Sequence, residues 1–396
     1  MAERRLHVLH VIYRLDVGGL ENGLVNLVNH LPPARFRHTL VCLTEATDFR
    51  RRIRRGDVEI LELHKRPGHD PALYRNLYRL FRRCRPDIVH TRNLAALEAQ
   101  VPAALARVPV RIHGEHGWDV ADLDGMRYRR WKRMLRPFVH HYIALSRQIE
   151  RYLREEIGVP AHRLTRILNG VDTARFRPLD PARDREDPRP EGFREDTFCI
   201  GMVGRLEAVK HPQLLLEAFV RLVHSGSRTG ERARLVVVGE GRLRPELEAR
   251  ARERGIADRV WFTGRRDDVP ALMRRFDLFV LPSRAEGISN TLMEAMASGV
   301  PVVATDVGGN AELVVPGTGR LVPPGDAGTL ASVMQAYLED TERCRREAAA
   351  ARRRAEQAFG LPAMVERYRQ VYETQHARRG RRDPVADPGL GRQEVR

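Results

Sequence analysis

The chain is 396 residues long, 42% of them hydrophobic, and carries a formal net charge of +17. That length is long for a single core and comfortable for two domains, and no apolar run approaches the roughly 18 residues needed to span a bilayer. Cys42, Cys84, Cys199 and Cys344 lie far apart with no paired ligand spacing, which argues against a zinc site and a disulfide framework and fits buried thiols in a reduced cytoplasm.

The first half alternates short apolar runs with helical patterns, the sequence form of a parallel sheet with crossover helices. Leu6–Ile12, interrupted by His7 and His10, reads as a first strand rather than a signal peptide. Further strands are expected over 39–43, 58–63, 88–90, 110–113 and 142–145, with a first helix over 20–31. Pro181, Pro188 and Pro190 among charges make 179–196 a linker. A second alternation follows, with strands over 198–203, 235–238, 260–262, 278–281, 302–304 and 320–322 and clear helices over 212–223 and 244–254. Residues 361–375 read as a last helix with Met364, Val365, Tyr368, Val371 and Tyr372 on one stripe, and 376–396 as a disordered tail. The fold class is therefore α/β: two Rossmann-like, doubly wound domains, 1–178 and 197–360, around a deep cleft.

Charge is uneven between them. Residues 1–180 hold 33 basic and 20 acidic side chains, the remainder 36 and 32. Such a field favours an anionic partner, although an arginine-rich solvated surface accounts for the same excess. Only Lys65, Lys132 and Lys210 are lysines, so each departs from the chain's habit.

The block EGISNTLMEAMASGVPVVATDVGGNAE, 286–312, follows the 278–281 strand. It places Glu286 at a strand's carboxyl end and Glu294 one turn inside a helix expected over 291–298, while Gly287, Ser289 and Asn290 leave the helix amides uncrowded for a phosphate. Thr291 and Glu294 also fit a capping box. Gly18-Gly19 after the first strand lets backbone approach a ligand, as Gly204 does after the 198–203 strand, where Arg205 and Lys210 bring two cations toward one diphosphate. His116 follows a strand and precedes Gly117, with His113 as its competitor. Asp122-Leu123-Asp124 matches an Asp-x-Asp metal motif formally but reads as a polar turn. Asn169-Gly170 fits a type I′ turn. Residues 126–138 form a basic amphipathic helix with Tyr128, Trp131, Leu135 and Phe138 on its apolar stripe. It reads either as a core-packed helix or as a dock for an anionic membrane or lipid-linked glycan, joined by Arg50, Arg51, Arg52, Arg54 and Arg55.

The 286–312 block resembles the donor signature of retaining GT-B glycosyltransferases of the family-4 type, and more finely those of exopolysaccharide systems associated with exosortases. Gly19, Gly204-Arg205 with Lys210, and His116 resemble further elements of that family, and Asn169-Gly170-Val171-Asp172 resembles another that supports the fold near the domain junction. The resemblance implies a metal-independent retaining glycosyltransferase with no cofactor beyond its nucleotide-sugar donor, a UDP-sugar rather than a GDP-sugar, and a glycan or polyprenyl-diphosphate-linked acceptor. Glu294 would hold the ribose, Glu286 and His116 the sugar, and Gly19, Arg205, Lys210 and the amides near Ser289 and Asn290 the diphosphate. The final helix would cross back onto the first domain, and the protein would work in the cytoplasm, at the inner face of the membrane. A nucleotide-sugar 2-epimerase and a nucleic-acid-binding protein are the alternatives. The second lacks interleaved aromatic motifs, so nucleic acid is not expected as a partner.

Overall fold

A computed structural model of the chain describes residues 4–68, 70–117, 126–194, 196–226 and 228–380. Strands β1 (Leu6–Ile12), β2 (Phe36–Cys42), β3 (Glu59–Glu62), β4 (Ile88–Arg92), β5 (Val110–Glu115), β6 (His141–Ala144) and β7 (Leu164–Arg166) form one sheet, ordered β3-β2-β1-β4-β5-β6-β7. A second sheet takes β8 (Phe198–Val203), β9 (Ala233–Val238), β10 (Val260–Gly264), β11 (Leu278–Leu281), β12 (Val302–Thr305) and β13 (Arg320–Val322), ordered β10-β9-β8-β11-β12-β13. Every ladder is parallel. Helices covering both faces explain why β4 and β11 are buried at every position instead of alternating.

The strand order reverses between β1 and β4 and between β8 and β11. In doubly wound sheets that reversal opens a crevice at the strands' carboxyl ends, which is where ligands bind. The loops after β1 and β8, the Arg92 end of β4 and the Glu286 loop after β11 all lie at these two points.

Helix α1 (Gly19–His30) leaves β1 at the Gly-Gly turn and buries Leu24, Val25, Leu27 and Val28. Helix α2 (Arg129–Leu135) is shorter than the amphipathic pattern suggests, and it buries Lys132 and Leu135 while Trp131 and Met134 stay exposed. The expected stripe is broken because Glu115 supplies a buried partner for Lys132 at 2.9 Å and the ammonium also lies 5.1 Å from the Tyr152 ring centre. Helices α3 (Pro212–Val223) and α4 (Asn290–Ala297) follow β8 and β11. After α5 (Thr341–Phe359) the chain makes the bridge Val171–Gly360 and enters α6 (Leu361–Gly380). Helix α6 packs Leu361, Met364, Val365, Tyr368, Val371 and Tyr372 with Val8, Leu27, Phe36 and Ile112 of the first sheet's layer.

In the 179–196 segment Phe193 is buried in the core, Arg189 bonds Asp187 at 2.8 Å, and Asp184 bonds Arg177 at 2.8 Å. Two expectations change. The last helix continues through 376–380, with the rest of the expected tail outside the described residues. Neither Asn169 nor Gly170 has the positive φ that a type I′ turn demands. Gly170 instead approaches Leu361, where a Cβ would stand 2.8 Å from the Leu361 Cα. Among the described residues no helix is long and apolar enough to cross a membrane.

Candidate functional site

The helix after β11 begins at Asn290, and Ser289 is its cap: the Ser289 hydroxyl accepts from the Leu292 amide at 3.3 Å. Thr291 therefore does not cap α4, and Glu294 is not drawn into a capping box. The preceding loop is fixed from below. The Thr305 hydroxyl donates to the Ser283 carbonyl at 2.6 Å, and the Ser283 hydroxyl donates to Glu286 Oε1 at 2.6 Å. Gly308, at φ +57°, presses so closely on this loop that a Cβ there would lie 1.7 Å from the Glu286 carbonyl oxygen. A Cβ on Gly309 would meet the Gly287 carbonyl oxygen at 2.4 Å. The two glycines after β12 thus exist to let two backbones touch.

Lys210 Nζ donates to Glu286 Oε1 at 2.6 Å, and the lysine stem runs 3.9 Å from where a Gly204 Cβ would be. Arg205 is exposed and does not share that partner. The Arg205 charge acts instead across the cleft on Glu21 of α1, whose carboxyl burial pushes up and Arg205 draws down. The two expected diphosphate cations thus flank the end of β8 with different neighbours.

Glu294 sits in other surroundings. Burial raises its carboxyl to about 7, opposed by Arg175 and Arg52. At neutral pH this carboxylate is poised between an acceptor and a donor of hydrogen bonds, a state suited to a vicinal diol.

From the first domain, Gly19 meets α4 directly: Asn290 Nδ2 donates to the Gly19 carbonyl at 3.2 Å, and Asn169 Nδ2 donates to Asn290 Oδ1 at 2.9 Å. A Cβ on Gly287 would lie 3.0 Å from the Gly117 Cα and 3.3 Å from the His116 carbonyl oxygen. His116 and Gly287 therefore face each other with nothing bulkier than backbone between them. The His116 amide donates to Asn93 Oδ1 at 2.7 Å, while both ring nitrogens are buried without a partner. Burial, then Arg92 and His113, holds the imidazole down at about 3, so it is neutral. His113, its competitor, is fully buried and bonded to Thr91 at 2.8 Å and Glu115 at 3.3 Å, which makes it part of the core. Asp122 and Asp124 lie outside the described residues.

Residues 183–354 match the family model described as glycosyl transferases group 1, and 17–175 match the model described as glycosyltransferase family 4. The lipopolysaccharide core biosynthesis mannosyltransferase LpsB of Rhizobium meliloti is 30% identical over 315 residues, which is 76% of this chain and 84% of LpsB. The chain belongs to the glycosyltransferase group 1 family. This glycosyltransferase is also 28% identical, over 78% of its own length and 82% of the relative's, to a UDP-Gal:alpha-D-GlcNAc-diphosphoundecaprenol alpha-1,3-galactosyltransferase of Escherichia coli. The solved structure of Anabaena HepE in complex with UDP superimposes with a TM-score of 0.77 at 21% identity, covering 94% of this chain and 100% of HepE. Sucrose-phosphate synthase of Thermosynechococcus elongatus gives 0.76 at 20%, covering 94% and 100%. The glycosyltransferase has the two-domain GT-B fold.

Some parts of the site escape a reading of motifs. Asn93 receives the His116 amide from a left-handed conformation at φ 57°, and Asn169 ties the domain junction to Asn290. An asparagine directly after a strand end is the one signal in the sequence, since its side chain tolerates that conformation. Ser283 and Arg92 carried no signal at all.

Proposed function

We propose that this glycosyltransferase transfers a sugar from a nucleotide-sugar, UDP-linked rather than GDP-linked, to a glycan or polyprenyl-diphosphate-linked acceptor with retention of anomeric configuration. The observation that carries the reading is the Lys210–Glu286 pair at the β8/β11 reversal, set opposite neutral His116 and Gly19. Residues 197–360 would hold the donor and 1–178 the acceptor. Glu294 takes the ribose hydroxyls. Arg205, Lys210 and the α4 amides near Ser289 and Asn290 stabilise charge on the departing diphosphate, the task a metal ion performs elsewhere, so no metal is required.

Glu286 already accepts from Lys210 and Ser283, which suits a carboxylate that positions sugar hydroxyls better than one that attacks carbon. The leaving phosphate then accepts the acceptor's proton on the face it leaves. A UDP ligand in HepE and a UDP-galactose donor with a diphosphoundecaprenol-linked acceptor in the Escherichia coli relative favour the same substrate classes, in exopolysaccharide or cell-surface polysaccharide synthesis. Exposed Trp131 and Met134 beside the basic residues of α2 fit contact with an anionic membrane at its cytoplasmic face. Arg55 does not belong to that surface, being bonded to Asp57 and to the Leu31 and Phe36 carbonyls.

The test is nucleotide release from a panel of UDP- and GDP-sugars with lipid-linked acceptors, with and without a chelator, followed by the anomeric configuration of the product. Acceptor-dependent UDP release with retention is expected. Release that needs no acceptor would point to epimerisation, and chelator-sensitive turnover would end the metal-independent assignment.

A further inference from the structure

The two domains meet at a carboxylate to which the proposed reaction gives no task. Glu312 lies three residues beyond Gly309 in the short helix Asn310–Leu313, and its amide donates to the Gly309 carbonyl at 3.0 Å. The segment before it is tied to the Glu286 loop: Gly308 and Gly309 press on the backbone of Glu286 and Gly287, and Asn310 Nδ2 donates at 3.0 Å to the carbonyl of Thr305, whose hydroxyl holds Ser283. From α5, Arg354 donates to the Glu312 and Leu313 carbonyls at 2.7 and 2.8 Å. The backbone that carries Glu312 is thus fixed within the second domain.

Its carboxylate leaves that domain. Oε1 accepts from the Arg147 amide at 2.5 Å, and Oε2 accepts from Arg166 Nη1 at 2.7 Å. Arg147 opens the helix Arg147–Glu155 of the first domain, whose cap, Ser146, accepts from the Ile149 amide at 3.2 Å. Glu312 satisfies a second free amide there, at the end where the peptide dipoles favour an anion. Arg166 closes β7 and also stands 3.7 Å from Glu150. The Glu312 side chain is only 10% exposed, and Leu313 and Val314 beside it share an apolar cluster with Leu145 and Ile149.

A carboxylate held out of water needs partners for both oxygens, and here both partners belong to the other domain. A displacement of about 1 Å would take either contact beyond hydrogen-bonding range. Adhesion between the domains is already supplied by the apolar cluster. What the carboxylate adds is direction, since it fits one helix end and one guanidinium at once. The same placement joins Asn290 to Gly19 and sets Gly287 against Gly117.

We propose that Glu312 is a positioning residue of the transfer step: seated on the Arg147 amide and the Arg166 guanidinium, it sets the Glu286 loop against His116 and Gly19, so that a donor held by one domain is aimed at an acceptor held by the other. This rests on the assignment of the Glu286 loop to the donor. In this role Glu312 touches neither substrate, so its loss misplaces the bound donor without releasing it.

The experiment compares the full chain with Glu312→Ala, Arg166→Met, the double variant and Arg166→Lys. UDP affinity is read by calorimetric titration, transfer by kcat and KM for a UDP-sugar with a lipid-linked acceptor, and the contact itself by hydrogen exchange over 146–155 and 283–290. Glu312→Ala and Arg166→Met each lower kcat about tenfold with UDP affinity and KM within about twofold, and the double variant falls no further than the worse single one, because the two residues act through one contact. Arg166→Lys, which keeps a cation within reach of the carboxylate, recovers most of kcat. An unchanged kcat in either single variant overturns the proposal, as does a loss of UDP affinity equal to the loss of kcat, or a double variant whose losses multiply. Should Glu312→Ala fail to fold, Arg166→Met, at a partly exposed strand end, reads the same split. Absence of turnover with every donor defeats the functional assignment, and hydrogen exchange then decides the role of Glu312. Faster exchange at both 146–155 and 283–290 in the variants supports it, and exchange that quickens at 146–155 alone or nowhere overturns it.

Discussion

Lys210 and Glu286 stand 76 residues apart in sequence and 2.6 Å apart in space, and the side chains are only 20% and 8% exposed. One of the chain's three lysines is thus committed to the first carboxylate of the donor signature. Removing the ammonium leaves that carboxylate with the Ser283 hydroxyl alone, so Lys210→Ala should lower turnover by about 10²–10³-fold and stability by about 1–3 kcal/mol. Lys210→Met with Glu286→Gln should be more stable than the two single changes added together, because neither charge is then stranded. Thermal melts of the four proteins measure this. Additive losses would mean that the contact carries no coupling.

Gly308 tests the backbone rather than the charges. At φ +57° with the Glu286 carbonyl where its Cβ would go, alanine strains the chain and displaces the Glu286 loop together. Gly308→Ala should cost about 2 kcal/mol or more and weaken UDP binding. Gly317→Ala is a matched control, having positive φ but open space, and it should lose stability with nucleotide affinity intact. Calorimetric titration of both variants with UDP decides the matter; equal affinities in the two would remove Gly308 from the site.

Glu294 predicts a pH dependence of donor affinity. Burial raises the carboxyl to about 7 against the pull of Arg175 and Arg52, so the group ionises through the neutral range. The ionised form accepts hydrogen bonds from ribose hydroxyls, and affinity for UDP should rise between pH 6 and 8. Stability moves the other way: a carboxyl raised above its unfolded value favours the fold below that value and loses the contribution as pH rises through about 7. Glu294→Gln should flatten both trends. A wild-type affinity that stays level across this range would count against a ribose contact.

Much of this was legible in the sequence, for identifiable reasons. Strands such as β8 and β11 are buried on both faces and so read as continuous apolar runs. The donor block was legible because glycines that permit backbone contact and carboxylates at a strand end are local features. What escaped was non-local. Lys132 stood out as a lysine among arginines, but nothing local paired it with Glu115, which meets it at 2.9 Å. Asn169-Gly170 looked like a hairpin turn because the packing of Leu361 and Asn290 against it comes from residues more than a hundred positions away. Arg92 sits in a run that reads as an ordinary strand end.

Four buried histidines of the first sheet, His7 and His10 on β1, His38 on β2 and His90 on β4, should make the protein acid-sensitive. Burial holds His38 at about 3, and burial with Arg37 holds His7 at about 4, while burial and Arg92 keep His10 and His90 well below the ordinary imidazole value. Each ring is neutral in the fold and titrates near 6.5 in the unfolded chain. The stability they confer is therefore complete above pH 6.5 and is lost as pH falls toward 3–4, because the unfolded chain takes up the protons first. Several kcal/mol should disappear between pH 6.5 and 4.5, given about 1.4 kcal/mol per group per pH unit below the unfolded value. Denaturant melts at half-unit pH steps measure the slope, and His38→Asn, which removes one titrating ring while keeping a polar partner for His10, should make it shallower. A midpoint that is constant from pH 6.5 to 5, or a slope unchanged by His38→Asn, would show that these rings do not govern the acid limit of the fold.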